Sequence, residues 1–418
     1  THLPDMTVVT PFHLAKQSEP LFIVASRAHH ADVGGLTPGS MPATSRSIEQ
    51  EGIRFEPFRL VRDGRLQTEA LLAALQAGDY PARNPAQNVA DIKAQLAANE
   101  KGRAGLLAML EHFGEATVRA YLVHVQNNAE EAVRDAVRKL AGGSGLAELD
   151  DGTHIAVSVS TNRETGAAIV DFAGTGPASP GNLNAPRGVA HAAVLYVFRC
   201  LVTADIPLNE GCLRPLDIRL PPGSLLAPVY PAAVAAGNVE TSQCIANALF
   251  QALGVLAAGQ GTMNNLSFGD DQYQYYETIG GGAGAGQEFA GADGVHTHMT
   301  NSRITDPEIM EDRYPVLVRE FALRRESGGA GAHRGGDGLV RAIEFRKPMR
   351  AALVSNHRAA GPPGLAGGLP GKAGINVVIR ADDRVEYLPA IAEVELTAGD
   401  MLVIATPGGG GYGAPAAD

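Results

Sequence analysis

The sequence predicts an α+β fold: mixed, multi-layer and β-rich, with an inserted helical hairpin and a C-terminal antiparallel β module. Three observations predict it. Apolar and polar residues alternate at period 2 in HIAVSVS, in AAIVDFAG and in a series of short runs after residue 339. Between residues 84 and 140 the apolar spacing changes to that of two long helices. Glycine supplies 50 of 418 residues, about 12% against a usual ~7%, with no G-X-Y period. The glycines cluster at 280–286, 328–338 and 407–413, which excludes collagen and marks shaped loops.

The elements follow in order. MTVVTPF and PLFIVASRAHH read as two strands joined by a Lys16–Glu19 turn, and VGGLTPGSMPATS as a loop. Residues 67–78 carry Leu and Ala at helical spacing. Asn84 and Pro85 supply an N-cap and a proline at N1 for a helix ending near Gly114. A second helix, 115–140, closes in Arg138-Lys139 and then Gly142-Gly143, so the two make a helical hairpin. HIAVSVS and AAIVDFAG form a β-hairpin across NRETG. Residues 187–204 are apolar almost all round, as a buried helix would be. PLDIRL reads as a strand and 241–258 as a helix opening on Thr241-Ser242. LVRAIEFR, RAALVSN, INVVIR, RVEYLP, AEVELT and MLVIAT are the strands of the last module.

This divides the chain into a β segment at 1–65, the helical hairpin at 66–145, a central α/β region with Gly-rich loops at 146–338, and the β module at 339–418. The opening THLPDMTVVTPF, with neither Met nor signal peptide, reads as the middle of a domain, so residues upstream of Thr1 are expected to be missing or removed.

Composition narrows the function. Hydrophobic residues at 45% and charged residues at 19% exclude a disordered chain. No apolar run approaches the ~20 residues of a membrane-spanning helix. A net charge of −11 argues against nucleic acid and anionic membranes as partners. Cys200, Cys212 and Cys244 are too few for a disulfide framework, and Cys212 reads as a small buried thiol. A cytoplasmic globular protein is the class that remains.

His2 and Asp5 share one short segment, while His29, His30 and Asp32 end the next strand. If the strands pair as a hairpin, their distant ends meet and these residues lie side by side. Two imidazoles with carboxylates suit Zn, Mn or Fe. The same residues read equally well as turn polar groups, with Asp32 hydrogen-bonding the glycine loop after it. In VHTHMTNSRITDPE, His296 and His298 would share one face of a strand near Thr300 and Arg303. They could be metal ligands, a substrate wall in which Arg303 grips a carboxylate, or a plain polar edge. ETIGGGAGAG has G-x-G-x-G spacing without a P-loop lysine or a helix start, so close backbone packing accounts better for it. Asn88, Asp91, Gln95 and Asn99 form a polar stripe expected to be a wet helix face, and His124 is expected to be partly buried.

Taken together, THLPDMTVVTPF, SRAHHADVGGLTPGSMP, NLNAPRG, IPLNEGCLRPLDI, GNVETSQ, QGTMNNLSFG, YYETIGGGAGAG, HTHMTNSRITDPEI and TPGGGGYG resemble the hydantoinase B/oxoprolinase family, in order and nearly from Thr1 to Gly413. ARNPAQNVADIKAQLAANEKG and SGGAGAHRGGDG are most similar to the C-terminal, B-type half of its ATP-dependent 5-oxoprolinase branch. The resemblance implies a hydrolase of small cyclic amides that works in two parts. A hydantoinase A-like subunit or domain binds ATP with Mg and phosphorylates the ring oxygen, and the B-like part receives the activated ring in a hetero-oligomer.

The resemblance also implies a divalent metal, Zn or Mn, on His2, Asp5 and His29, with a further acidic ligand upstream of Thr1. His30 and Asp32 would be supporting or alternative members of the catalytic set. Arg27, His298, Asn301 and Arg303 would bind substrate, a ring carboxylate needing a cation such as Arg27 or Arg303. The implied reaction is 5-oxo-L-proline, ATP and water to L-glutamate, ADP and phosphate. A hydantoin or another lactam as substrate, or a non-catalytic assembly module, are the alternatives, and a kinase-like reading ranks last for want of a lysine.

Overall fold

The structure is a computed structural model and describes residues 2–14 and 18–416, so Lys16 and Gln17 of the expected turn lie outside it. The first two predicted strands form β1 (Asp5–Phe12) and β2 (Phe22–His29), an antiparallel ribbon with Asp5 opposite His29 and Phe12 opposite Phe22. The short strands β3 (Val61–Arg62) and β4 (Arg65–Leu66) lead into α1 (Thr68–Leu75). Helix α2 (Pro85–Phe113) starts as the sequence signals: the Asn84 side chain accepts from the Gln87 N–H, and Pro85 occupies N1, where no N–H is needed. Gly114, at φ +80°, turns the chain into α3 (Glu115–Arg138).

The polar stripe of α2 is not its wet face. Asn88, Gln95 and Asn99 are buried beside Val89 and Ile92, against the β1–β2 ribbon. A two-stranded ribbon leaves backbone acceptors that a neighbouring element must pair. Gln95 Nε2 donates to the carbonyls of Met6 and Ser26, and Asn99 Nδ2 to that of Val8. Conversely, His124 is exposed on α3, edge-on to Tyr121, because that stretch of the hairpin projects past its neighbours.

Strands β5 (Gly143–Glu148), β6 (His154–Asn162), β7 (Ala167–Asp171) and β8 (Leu216–Arg219) form a four-stranded sheet in that order. Its β7–β8 pair is parallel, which the long connection carrying α4 (Arg187–Cys200) allows. Helix α5 (Ser242–Leu253) packs between α4 and this sheet with almost every residue buried. It approaches β5 so closely that a Cβ on Gly145 would lie 2.0 Å from the Ala248 carbonyl oxygen. The helix stops short of the predicted residue 258 because Gly254 takes a left-handed cap at φ +68°.

The predicted C-terminal strands all form, but they share their sheets with earlier ones. The remaining elements are β9 (Asn265–Gly269), β10 (Gln274–Glu277), α6 (Pro307–Arg313), β11 (Val316–Arg324), β12 (Gly338–Phe345), β13 (Met349–Val354), β14 (Ile375–Ile379), β15 (Val385–Leu388), β16 (Ile391–Leu396) and β17 (Met401–Ala405). One sheet runs β10-β9-β13-β16 and the other β11-β12-β17-β14-β15, so the ladders of β9 and β11 cross position 338/339. Leu266, Phe268, Ile343, Phe345 and Leu402 belong to one core that joins the two sheets, and Met310 of α6 is part of it. The glycine clusters interlock backbone on backbone: a Cβ on Gly282 would meet the Gly336 carbonyl oxygen at 2.0 Å, and one on Gly409 that of Ala283 at 2.0 Å. No helix among the described residues is long and apolar enough to cross a membrane.

Candidate functional site

The open end of the β1–β2 ribbon gathers His2, Asp5 and His29. Beyond Asp5 the ribbon is prolonged by the His30 N–H, which donates to the Pro4 carbonyl at 2.9 Å. The Asp5 N–H donates to the His2 carbonyl at 3.3 Å, closing a turn that brings the two side chains together. His2 Nε2 then lies 3.2 Å from Asp5 Oδ2, and His29 Nδ1 lies 3.4 Å from Asp5 Oδ1. One ligand-capable atom from each of the three residues falls within 4.8 Å of the others.

The surroundings fix the protonation logic. His2 Nδ1 is 3.1 Å from the Ala235 carbonyl oxygen, a pure acceptor, so Nδ1 carries a proton. Nε2 faces a carboxylate oxygen, a contact met either by a second proton on His2, which makes a hydrogen-bonded ion pair, or by a cation between the two groups. Asp5 Oδ2 also accepts from Arg27 and from Asn238 Nδ2, each at 2.9 Å. Burial works to raise Asp5, but the hydrogen bonds from His2, His29 and Arg27 outweigh it and hold the carboxyl well below the usual range. Burial also lowers His29 below an ordinary histidine, against the opposing hydrogen bond with Asp5, which favours the neutral ring a metal ligand must be. The His29 ring stacks on Tyr276 at 5.2 Å and 23°.

The donor types fit a divalent ion, two imidazoles with one carboxylate being a suitable set. Ligands bound at about 2.1 Å to one ion sit roughly 3.0–3.4 Å apart, so the 4.8 Å spread would have to close slightly around it. The proton on His2 Nδ1 is held by a backbone carbonyl, the usual outer arrangement of a ligating histidine.

The other sequence candidates are dispersed. His30 alternates to the opposite face from His29 and is fully buried, 3.1 Å from both Gln95 Oε1 and Asn88 Nδ2. Asp32 accepts from the N–H groups of Gly34, Gly39 and Arg83 and pairs with the Arg83 guanidinium, so it holds the glycine loop. Arg27 reaches the site through Asp5.

His296 and His298 share no strand face, because the segment is a turn. Gln243 of α5 bonds the Thr297 carbonyl, the Thr297 hydroxyl and the Thr300 hydroxyl, drawing the chain onto the helix instead of into a sheet. His298 lies at φ +45°, 2.9 Å from Asn247 Oδ1, and burial lowers its pKa to about 4. Asn301 and Arg303 are exposed and have no hydrogen-bond or ion-pair partner among the described residues. Met299 of this loop and Tyr276 border the same small apolar cluster, which brings the loop near the His29 side of the site.

The hydantoinase B/oxoprolinase family model matches residues 1–415. The chain belongs to the hydantoinase B/oxoprolinase family. Among its relatives, 5-oxoprolinase 1 of Arabidopsis thaliana is 47% identical over 440 residues, covering 99% of this chain and 34% of the relative. The 5-oxoprolinase of Dictyostelium discoideum is 43% identical, covering 99% of this chain and 33% of its own. The chain therefore spans only 34% and 33% of these relatives' lengths. The fold is similar to that of an ATP-dependent caprolactamase from Pseudomonas jessenii, with a TM-score of 0.85 at 24% identity, over 99% of this chain and 75% of that one.

In this hydantoinase B/oxoprolinase chain, the residues that sequence reasoning left without a role are those that complete the site. Ala235, Asn238 and Tyr276 touch the triad, yet GNVETSQ and YYETI carry only a family likeness in sequence. The available signal is that Glu240 is the only acidic residue between Asp217 and Asp270. A separate cavity of about 520 Å³ is lined by Cys244, Asn247, Gln251 and His357, and no triad residue borders it.

Proposed function

We propose that this chain is the B-type part of an ATP-dependent lactam hydrolase acting on 5-oxo-L-proline, with His2, Asp5 and His29 holding a zinc or manganese ion. The observation that carries the reading is the convergence of ligand-capable atoms of His2, Asp5 and His29 within 4.8 Å, with the other nitrogen of His2 committed to a carbonyl. The 47% identity to a 5-oxoprolinase along 99% of the chain supports the substrate class. A divalent ion held by these residues would supply Lewis acidity and make water a better nucleophile at neutral pH.

An unstrained lactam is a poor electrophile. In this reading a hydantoinase A-like partner or domain, using ATP with Mg, transfers phosphate to the ring oxygen, within a cytoplasmic hetero-oligomer. Water adds to the activated ring carbon, the C–N bond breaks, and the nitrogen takes the proton, leaving a carboxyl phosphate. A second water releases phosphate and L-glutamate. Asp5 is held ionised, and Arg27 and Asn238 fix its orientation. We assign the substrate carboxylate to Arg303, which has no partner among the described residues, with His298 and Asn301 on the same loop beside it.

The test uses the full-length protein with its ATP-binding partner. Chelation should stop glutamate release while at least part of the ATP cleavage persists. His2→Ala and His29→Ala should each lose both metal and ring opening, and unchanged turnover with unchanged metal content refutes the assignment. Arg303→Ala should raise KM for carboxylate-bearing rings and leave that for hydantoin unchanged.

A further inference from the structure

The triad residues come from the first strand pair, but one distant segment, 235–240, reaches all three. The Ala235 carbonyl holds His2 Nδ1 at 3.1 Å. Asn238 Nδ2 donates to Asp5 Oδ2 at 2.9 Å. Glu240 Oε1 accepts from Asn265 Nδ2 at 2.6 Å, Asn265 Oδ1 accepts from the Tyr276 hydroxyl at 2.8 Å, and the Tyr276 ring stacks on His29.

The segment is itself rigidly held. Gly237–Thr241 forms a π turn, a rare element that is frequent at functional sites, and it runs straight into the buried helix α5. On its upstream side the buried Glu51 carboxylate accepts from the N–H groups of Val234 and Ala235. Gly237 packs so tightly that a Cβ there would lie 2.1 Å from the Asn184 carbonyl oxygen.

We propose that segment 235–240, which includes most of the π turn, is the positioning element of the metal site. It sets the spacing of His2, Asp5 and His29 without ligating, and Glu240 acts on His29 through Asn265 and Tyr276. The inference rests on the reading of the triad as metal ligands. A site whose ligands are already oriented binds its ion without the cost of ordering them, so loosening the relay should weaken metal binding while the fold persists.

The experiment is a titration of the metal-free full-length protein with manganese(II) and zinc(II) separately, by calorimetry, alongside the melting temperature with and without metal. Tyr276→Phe keeps the stacked ring and loses only the hydroxyl. It should weaken binding by about 10-fold and shrink the metal-induced rise in Tm, measured from whatever metal-free Tm the variant has once Asn265 Oδ1 loses its donor. Glu240→Ala should weaken binding at least as much. Glu240→Gln, whose amide oxygen still accepts from Asn265, should restore it to within about 2-fold of the parent, with calorimetry run where every variant is fully folded without metal so that differences in stability do not enter.

If Tyr276→Phe and Glu240→Ala bind like the parent while His29→Ala does not, the positioning role is overturned and the metal site stands. If Tyr276→Phe weakens binding and Glu240→Ala does not, the role assigned to Glu240 is overturned. If His29→Ala binds like the parent, the metal reading falls and takes this inference with it.

Discussion

Asp5 stands directly opposite His29 across the β1–β2 ladder, with Asp5 Oδ1 3.4 Å from His29 Nδ1. The pairing depends on register. A slip of one residue would bring His30 opposite Asp5 and turn the side chains of β2 to the other face. The Phe12–Phe22 stack at the far end, 6.0 Å between ring centres and nearly parallel at 6°, helps to pin that register.

Asp5→Asn should abolish stoichiometric metal binding, measured by elemental analysis. It should also change acid stability. Asp5 titrates lower folded than unfolded, so its contribution is complete above about pH 4 and is lost as pH falls towards the folded value. Tm of the metal-free protein should therefore drop less steeply below about pH 4 in the Asn variant than in the parent.

Glu240 gives the opposite sign. Burial pushes it up to about 8, with hydrogen bonds from Met263 N–H and Asn265 and the charge of Arg358 pulling the other way. The folded state keeps a proton that the unfolded state releases near 4.3, so stability is complete below that value and declines as pH rises to about 8. Glu240→Gln, neutral throughout, should gain on the order of 3 kcal/mol relative to the parent between pH 5 and pH 8, read from denaturant unfolding of the metal-free protein.

Gln95→Leu should destabilise the protein by about 1–3 kcal/mol in urea unfolding. The substitution conserves bulk but strips partners from the Met6 and Ser26 carbonyls and from His30 Nε2, all of which Gln95 now engages. A change below about 0.5 kcal/mol, the usual range for surface sites, would show that these groups find water instead.

Arg341 and Glu277 form an ion pair with both side chains essentially inaccessible, Nε to Oε1 at 2.9 Å. Arg341→Met should cost about 3–5 kcal/mol, because it leaves a buried carboxylate alone. Adding Glu277→Gln should recover most of that loss, since the neutral amide can still accept from the Tyr275 hydroxyl. The double-mutant cycle measures the recovery.

Local patterns in the sequence determined a good deal by themselves. Period-2 alternation located the strands, Asn84-Pro85 and Gly114 bounded the long helix, and the ribbon built from HxxD and HHAD brought His2, Asp5 and His29 together. These features depend on turns, caps and the pairing of neighbouring strands, which short stretches encode. Only the tertiary structure decided what pairs across long separations. The amides of Asn88, Gln95 and Asn99 look like a solvated stripe until the ribbon is laid against them, because a polar side chain does not say whether its partner is water or a buried carbonyl. The loop 296–303 gave up its strand to α5 for the same reason. Ala235 and Asn238 lie 233 residues from His2 and Asp5, and no local signal links them. Those contacts come from packing segment 235–238 against the open end of the ribbon, so the ligand-capable side chains are readable from sequence while the frame that orients them belongs to the assembled fold.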